Sequence, residues 1–210
     1  MDVYDYAKAH DIELIDLTCP NVSKIHKQVQ DFSNKGYFIF LFGIRNHPET
    51  IGSFSFCGEN SFLIESPSDI DLGLSALYSS GLQNVLIISQ TTFSVSLFEE
   101  MKDIICKKLE PDFNIHIENS ICMATSLRQL EAKEISSKSD LMIVIGGKNS
   151  SNTKKLYEVS KDNCENVLKI ETKDELDEDF LSSFENIGII AGASTPSDII
   201  DDVVEFVKNI

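Results

Sequence analysis

An internal repeat constrains this chain more than any other feature of its sequence. Cys19 and Cys122 stand 103 positions apart, and so do Gly43 and Gly146, Arg45 and Lys148, and Asn46 and Asn149. At the same offset Phe40-Leu41-Phe42 falls on Ile143-Val144-Ile145, and Thr91-Thr92 falls on Ser194-Thr195. The run VLIIS ending at Ser89 falls on GIIAG ending at Gly192, and upstream Ile12 and Leu14 fall on Ile115 and Ile117. An ungapped offset shared by a cysteine, two loops and several apolar runs argues for two copies of one supersecondary unit. The competing account is two α/β domains that merely share a rhythm.

Each copy reads as a strand, a helix, a buried strand, a loop, and further strands alternating with helices. In the first, IELID is a short strand entering Thr18-Cys19-Pro20. Pro20 suits the first position of a helix, and Val22, Ile25, His26 and Val29 make its stripe. Gly36 ends that helix and YFIFLF is a buried strand. Residues 67–78 form a helix, NVLIIS a second buried strand, and residues 93–108 a helix with Leu97, Met101, Ile104 and Ile105 inward. The second copy gives NIHIE, a helix from Cys122 to Ser137, LMIVIG, a helix from about Ser151, VLKIE, IGIIAG and a last helix from Pro196. Strands that are continuously apolar and alternate with helices predict an α/β fold: two repeated units with small, mostly parallel sheets covered on both faces. No linker rich in Pro, Gly or Ser separates the units, so their boundary near residues 111–118 is expected to be tight.

Composition narrows the functional classes. The net charge of −16 disfavours a basic nucleic-acid or anionic-membrane surface. It does not disfavour an anionic small molecule, because backbone N–H groups and hydroxyls can hold phosphate without cations. No apolar run approaches the roughly 20 residues of a membrane span, and MDVYDYAKAH carries no secretory pattern. Five scattered cysteines make no disulfide framework and include no CxxC pair, so the expectation is a reducing, cytoplasmic setting. Met1 runs almost directly into an amphipathic pattern (Val3, Tyr6, Ala7), as if the chain began inside a helix.

In open parallel sheets ligands gather at the carboxyl ends of strands, and the unusual polar clusters all lie there. Cys19 and Cys122 each follow a strand and open a helix, where the helix N-terminus favours thiolate over thiol. Either cysteine alone reads as a small buried residue; their equivalent places in the repeat favour metal ligation instead. Cys57, Cys106 and Cys164 lack counterparts and read as structural. Gly43-Ile44-Arg45-Asn46-His47-Pro48-Glu49 places a hydrogen-bond donor and a general acid two residues apart, with a plain surface loop as the alternative. The segment from Gly146 to Thr153 offers glycines, hydroxyls, an amide and free N–H groups as an anion cradle, without the ending of a Walker loop. Ser194-Thr195-Pro196 and Gln90-Thr91-Thr92 also follow strands; for Ser194 simple helix capping is the favoured reading. His10, His26 and His116 sit in helix or strand context and carry no expected role.

Set side by side, LTCPNVSKIH, GIRNHPETIG, ISQTTF, NSICMATSLRQ, MIVIGGKNSSNTKKLYE and AGASTP resemble, in order and spacing, the signature segments of the 4-hydroxy-3-methylbut-2-enyl diphosphate reductase (IspH, or LytB) family. The resemblance runs from about residue 3 to the end. It implies three α/β units about a pseudo-threefold axis, each giving one cysteine to a central 4Fe–4S cluster with one open iron. Cys19 and Cys122 would be two of the ligands. Glu49 matches the family's proton source, His47 a diphosphate-binding histidine, and Thr91 the threonine near the substrate hydroxyl. Ser150, Ser151, Asn152 and Ser194 match residues that hold diphosphate oxygens. The implied reaction is reductive dehydroxylation of an allylic diphosphate to isopentenyl and dimethylallyl diphosphate, with ferredoxin or flavodoxin as electron donor. On this reading residues 1–18 are a remnant of the first unit, 19–112 the second, 113–195 the third, and 196–210 a C-terminal helix. The first unit's cysteine and two histidines have no match, which leaves open a non-catalytic α/β scaffold that binds a phosphorylated ligand or a partner without a cluster. A flavodoxin-like nucleotide binder is a weaker third reading, since no dinucleotide fingerprint is present and the repeat would go unexplained.

Overall fold

A computed structural model of the protein describes residues 3–109 and 111–210; Met1, Asp2 and Glu110 lie outside it. After α1 (Val3–Ala9) come α2 (Pro20–Asn34), β1 (Phe38–Phe42), α3 (Pro48–Ser55), β2 (Ser61–Ile64), α4 (Ile70–Ser80), β3 (Asn84–Ser89), α5 (Val95–Lys108) and β4 (Asn114–Glu118). Then follow α6 (Met123–Ser136), β5 (Leu141–Ile145), α7 (Ser151–Lys161), β6 (Asn166–Ile170), α8 (Glu178–Leu181), β7 (Ile187–Ala191) and α9 (Ser197–Lys208). All strand pairs are parallel, in two sheets ordered β2-β1-β3-β4 and β6-β5-β7. The two sheets share one winding, so the repeat in sequence is a repeat in topology. No described helix is long and apolar enough to cross a membrane.

Both middle strands are buried along their whole length, as the unbroken apolar runs require. In β1, Phe38, Phe40 and Phe42 face one layer with residues of α4 and α5, while Ile39 and Leu41 face the layer that holds Ile25 and Val29 of α2. In β5 the same alternation recurs: Leu141, Ile143 and Ile145 face Val203 of α9, and Met142 and Val144 face Ala132 of α6 and Leu156 of α7. Burying each such side chain contributes about 1.5–3 kcal/mol.

Four expectations need correction. IELID forms no strand: residues 12–18 join no sheet ladder, and Ile15 and Leu17 are 74% and 88% exposed. A strand needs a ladder partner, and none of the described strands neighbours it. Its counterpart NIHIE does form β4, but β4 pairs with β3, so the division at residues 112 and 113 does not follow sheet membership. The loop read from Gly43 to Glu49 ends sooner, because Pro48 opens α3, which has a counterpart in α7. Finally, the repeat is not ungapped. Gly43 N bonds Ile64 O where Gly146 N bonds Ile170 O, and Gln90 N bonds Phe42 O where Gly192 N bonds Ile145 O. Residues inserted before β6 are more than offset by a shortening before β7. Ser194 therefore answers Thr92, and Ala193 answers Thr91.

Candidate functional site

The two repeat cysteines occupy the same backbone niche. Cys19 (φ −53°, ψ 133°) and Cys122 (φ −59°, ψ 132°) are the N-cap residues of α2 and α6, and neither thiol caps its own helix. Each Sγ therefore lies beside a helix N-terminus without capping it. Asn21, in the first turn of α2, donates from Nδ2 to Cys122 Sγ at 3.4 Å, which brings the two helix starts together. Cys122 is also anchored by its neighbours: its N–H donates to Thr91 O at 2.9 Å, and Ser89 N donates to Ser120 Oγ at 2.9 Å. Cys19 is exposed and follows the segment before α2 that joins neither sheet. The other thiols are occupied or buried. Cys57 Sγ donates to Ser53 O, and burial pushes its pKa up to about 12. Burial also raises that of Cys106, and Cys164 Sγ lies 3.3 and 3.2 Å from the carbonyls of Ser139 and Asn166. Iodoacetamide at neutral pH should therefore label Cys19 first and leave Cys57 intact until the protein unfolds; peptide mass mapping with Cys57 labelled in the folded state would contradict this. Among the described residues, no three His, Cys, Asp or Glu side chains converge as a metal site.

Glu49 and Thr91 form a two-point clamp across the first sheet. Thr91 N donates to Glu49 Oε1 at 2.6 Å and Thr91 Oγ1 donates to Oε2 at 2.8 Å. Pro48 at the start of α3 fixes Glu49 in the first turn. His47 is the N-cap, and its Nδ1 accepts from Glu49 N at 3.2 Å. A neutral His47 must then carry its proton on Nε2, which makes that nitrogen a donor.

Gln90 is the site residue that sequence reasoning left without a role. It is 1% exposed. Its Oε1 accepts from Ile44 N and Thr50 Oγ1, both at 3.1 Å, and its Nε2 donates to Thr92 Oγ1 at 2.9 Å. Thr92 Oγ1 in turn pairs with Ser151 Oγ at 2.8 Å, linking the two units. Gln129 adds a second stitch, accepting from Val95 N and donating to Phe93 O. A glutamine at the end of an apolar strand was the available signal for Gln90.

The second unit supplies the cradle. Ser150 caps α7, its Oγ accepting from Thr153 N at 3.2 Å, which leaves its own O–H free to donate. Asn152 is 7% exposed, yet Oδ1 and Nδ2 are both buried and without partners among the described residues. An unsatisfied buried polar group costs about 1–3 kcal/mol, so this amide is a vacancy for hydrogen bonds. Lys148 is held by Glu171 and Glu175 at 3.6 Å. Ser194 is exposed and does not cap α9, whose N-cap is Pro196; the capping reading of this serine fails. A cavity of about 210 Å³ at the junction of the units is lined by Thr92, Ser94, Ser151, Lys154 and Lys155, among others.

A family model described as "LytB protein" matches residues 1–208. The chain is 39% identical to 4-hydroxy-3-methylbut-2-enyl diphosphate reductase of Clostridioides difficile, covering 100% of this chain and 72% of that protein. The solved structure of (E)-4-hydroxy-3-methyl-but-2-enyl diphosphate reductase, the terminal enzyme of the non-mevalonate pathway, is 36% identical with a TM-score of 0.61; the match covers 99% of this chain and 72% of that one. The structure of the E-1-hydroxy-2-methyl-but-2-enyl-4-diphosphate reductase from Plasmodium falciparum matches at 30% identity and a TM-score of 0.83, covering 99% of this chain and 63% of that one.

Proposed function

The chain belongs to the LytB protein family, an enzyme family of reductases, and from that premise we propose that its residues form part of a reductive dehydroxylation site for 4-hydroxy-3-methylbut-2-enyl diphosphate. Ser150, Ser151, Asn152, Ser194 and His47 hold the diphosphate with neutral donors, consistent with a chain whose net charge is −16. Glu49 holds the proton delivered to the departing hydroxyl or the allylic carbon, and Thr91 orients both Glu49 and the hydroxyl. Cys19 and Cys122 would be two thiolate ligands of a 4Fe–4S cluster, which would supply electrons received singly from a donor such as ferredoxin or flavodoxin. Two thiols fit part of such a site, and a third ligand has to come from outside the described residues. The observation that carries the reading is the Asn21–Cys122 contact, which sets the first turn of the helix that Cys19 opens against the Cys122 thiol.

Anaerobic reconstitution with iron and sulfide tests it, read by iron content and Mössbauer spectroscopy. Iron that is lost in both Cys19→Ser and Cys122→Ser supports the assignment; iron indifferent to both overturns it. Inorganic pyrophosphate binding, followed by ³¹P NMR, should weaken about 10-fold or more in Asn152→Leu, since hydrogen bonds to charged groups contribute about 1.5–3 kcal/mol each. The lack of a three-ligand group among the described residues favours a second reading, a scaffold that binds a phosphorylated ligand without a cluster. Pyrophosphate binding with no iron uptake, unchanged in both serine variants, would establish that alternative.

A further inference from the structure

His26 takes no part in the arrangement above, yet it is a half-buried titratable group beside it. On α2 its ring stacks on Phe56 with centroids 4.7 Å apart and 25° between planes. Its Nε2 is buried and has no hydrogen-bond partner among the described residues. That nitrogen faces α3: a methyl built on Gly52 would lie 3.6 Å from it. Glu49, Gly52 and Phe56 follow one another at helical spacing, so they share one stripe along α3 and its C-cap. His26 covers Phe56 and Gly52, and Glu49 is the next side chain along. Residues three apart on a helix have Cβ positions about 5–6 Å from each other, and Gly52, which meets the imidazole, adds no side chain to the stripe between Glu49 and Phe56.

Resting on the reading of Glu49 as proton source, we propose that His26 is a positioning residue that receives the Glu49 carboxylate when it swings off Thr91, and reprotonates it. The Nε2–H bond breaks as an Oε–H bond forms, imidazolium becoming neutral imidazole and carboxylate becoming carboxylic acid. His26 is half-buried, so its ring recovers the proton from solvent. The charged groups acting on it are Glu49 from α3 and Asp16 from the segment before α2; both raise its pKa, while burial, the larger effect, holds it below the ordinary histidine value. An imidazole so placed gives up its proton readily. It also explains why a nitrogen costly to leave unpaired is kept at this position.

The test is ¹H–¹⁵N NMR of the His26 imidazole across a pH titration of the full chain, in the parent, Glu49→Gln and Asp16→Asn. Direct pairing predicts that Glu49→Gln lowers the midpoint and also changes the Nε2 shift at fixed protonation, whereas Asp16→Asn lowers the midpoint alone. Identical effects of the two substitutions, or none from Glu49→Gln, would overturn the pairing and leave His26 a buried ring filled by water. In cluster-loaded reductase, His26→Gln should lower kcat and displace its pH profile with KM unchanged, a smaller loss than the ~10²-fold minimum typical of removing an acid outright; an unmoved profile overturns the reprotonating role. Pairing seen by NMR in a protein that turns over no substrate would uphold the His26–Glu49 couple while sinking the reductase reading of the site.

Discussion

Glu49→Gln is expected to reduce turnover of the cluster-loaded reductase by about 10²–10⁴-fold, the usual contribution of a positioned acid. Stability should stay within about 1 kcal/mol of the parent. The two expectations separate because glutamine can keep the clamp. Its carbonyl can accept from Thr91 N, as Glu49 Oε1 does at 2.6 Å, and its amide can donate to Thr91 Oγ1, which turns from donor to acceptor. Position is preserved and only the titratable proton is lost. Single-turnover kinetics beside urea denaturation reads both quantities. Turnover within a few fold of the parent would remove Glu49 from the proton path. A large loss of stability would instead make the clamp a structural strut. Thr91→Val completes the comparison, since it removes one arm of the clamp and leaves the carboxyl able to hold a proton.

That the sheets are parallel and covered on both faces followed from the sequence because the apolar runs of β1, β3 and β5 admit little else than a buried parallel strand. Local pattern could not show what each run pairs with. IELID and NIHIE carry the same alternation, yet only the second meets a ladder, that of β3. Repeat arithmetic likewise aligned Thr91 with Ser194, because small polar residues on both sides hid the change of offset before β7. At the site, Cys122, Glu49 and Ser150 were legible as residues that follow strands, and Cys19 as the start of a helix though not as the end of a strand. Their roles as caps and clamps were not, since whether an oxygen or nitrogen is spent on a neighbour depends on tertiary contact. Gln90 and His26 show the limit most clearly. Each sits in a pattern that sequence reads as ordinary helix or strand, and each acquires meaning only from what faces it: three polar groups for Gln90, the bare backbone of Gly52 for the imidazole.

The same dependence on a facing group sets the largest expected loss of stability, that of Gly146→Ala. At φ +154° the residue lies in a backbone region that side chains rarely adopt, and a Cβ there would meet Thr153 Oγ1 at 2.4 Å, Thr153 Cγ2 at 3.1 Å and Thr195 Oγ1 at 3.1 Å. Overpacking of this kind costs about 1–3 kcal/mol and the backbone strain another 1–3 or so, so a loss of about 2–5 kcal/mol is expected by urea denaturation. Gly147, whose nearest neighbour would be Glu171 Oε1 at 3.9 Å, should accept alanine within about 0.5 kcal/mol. Thr153→Ala in the Gly146→Ala background removes two of the three clashing atoms but not the strain, so roughly half the loss should return, appearing as a favourable coupling in the double-mutant cycle. If Gly146→Ala is as mild as Gly147→Ala, the close approach of β5 and α7 is not what holds the cradle, and Asn152 would owe its buried position to something else. If the coupling is present, Thr153 is the residue that fixes the first turn of α7 against the strand end. The free amide of Asn152, one position earlier on that turn, is then held rigid before any ligand arrives.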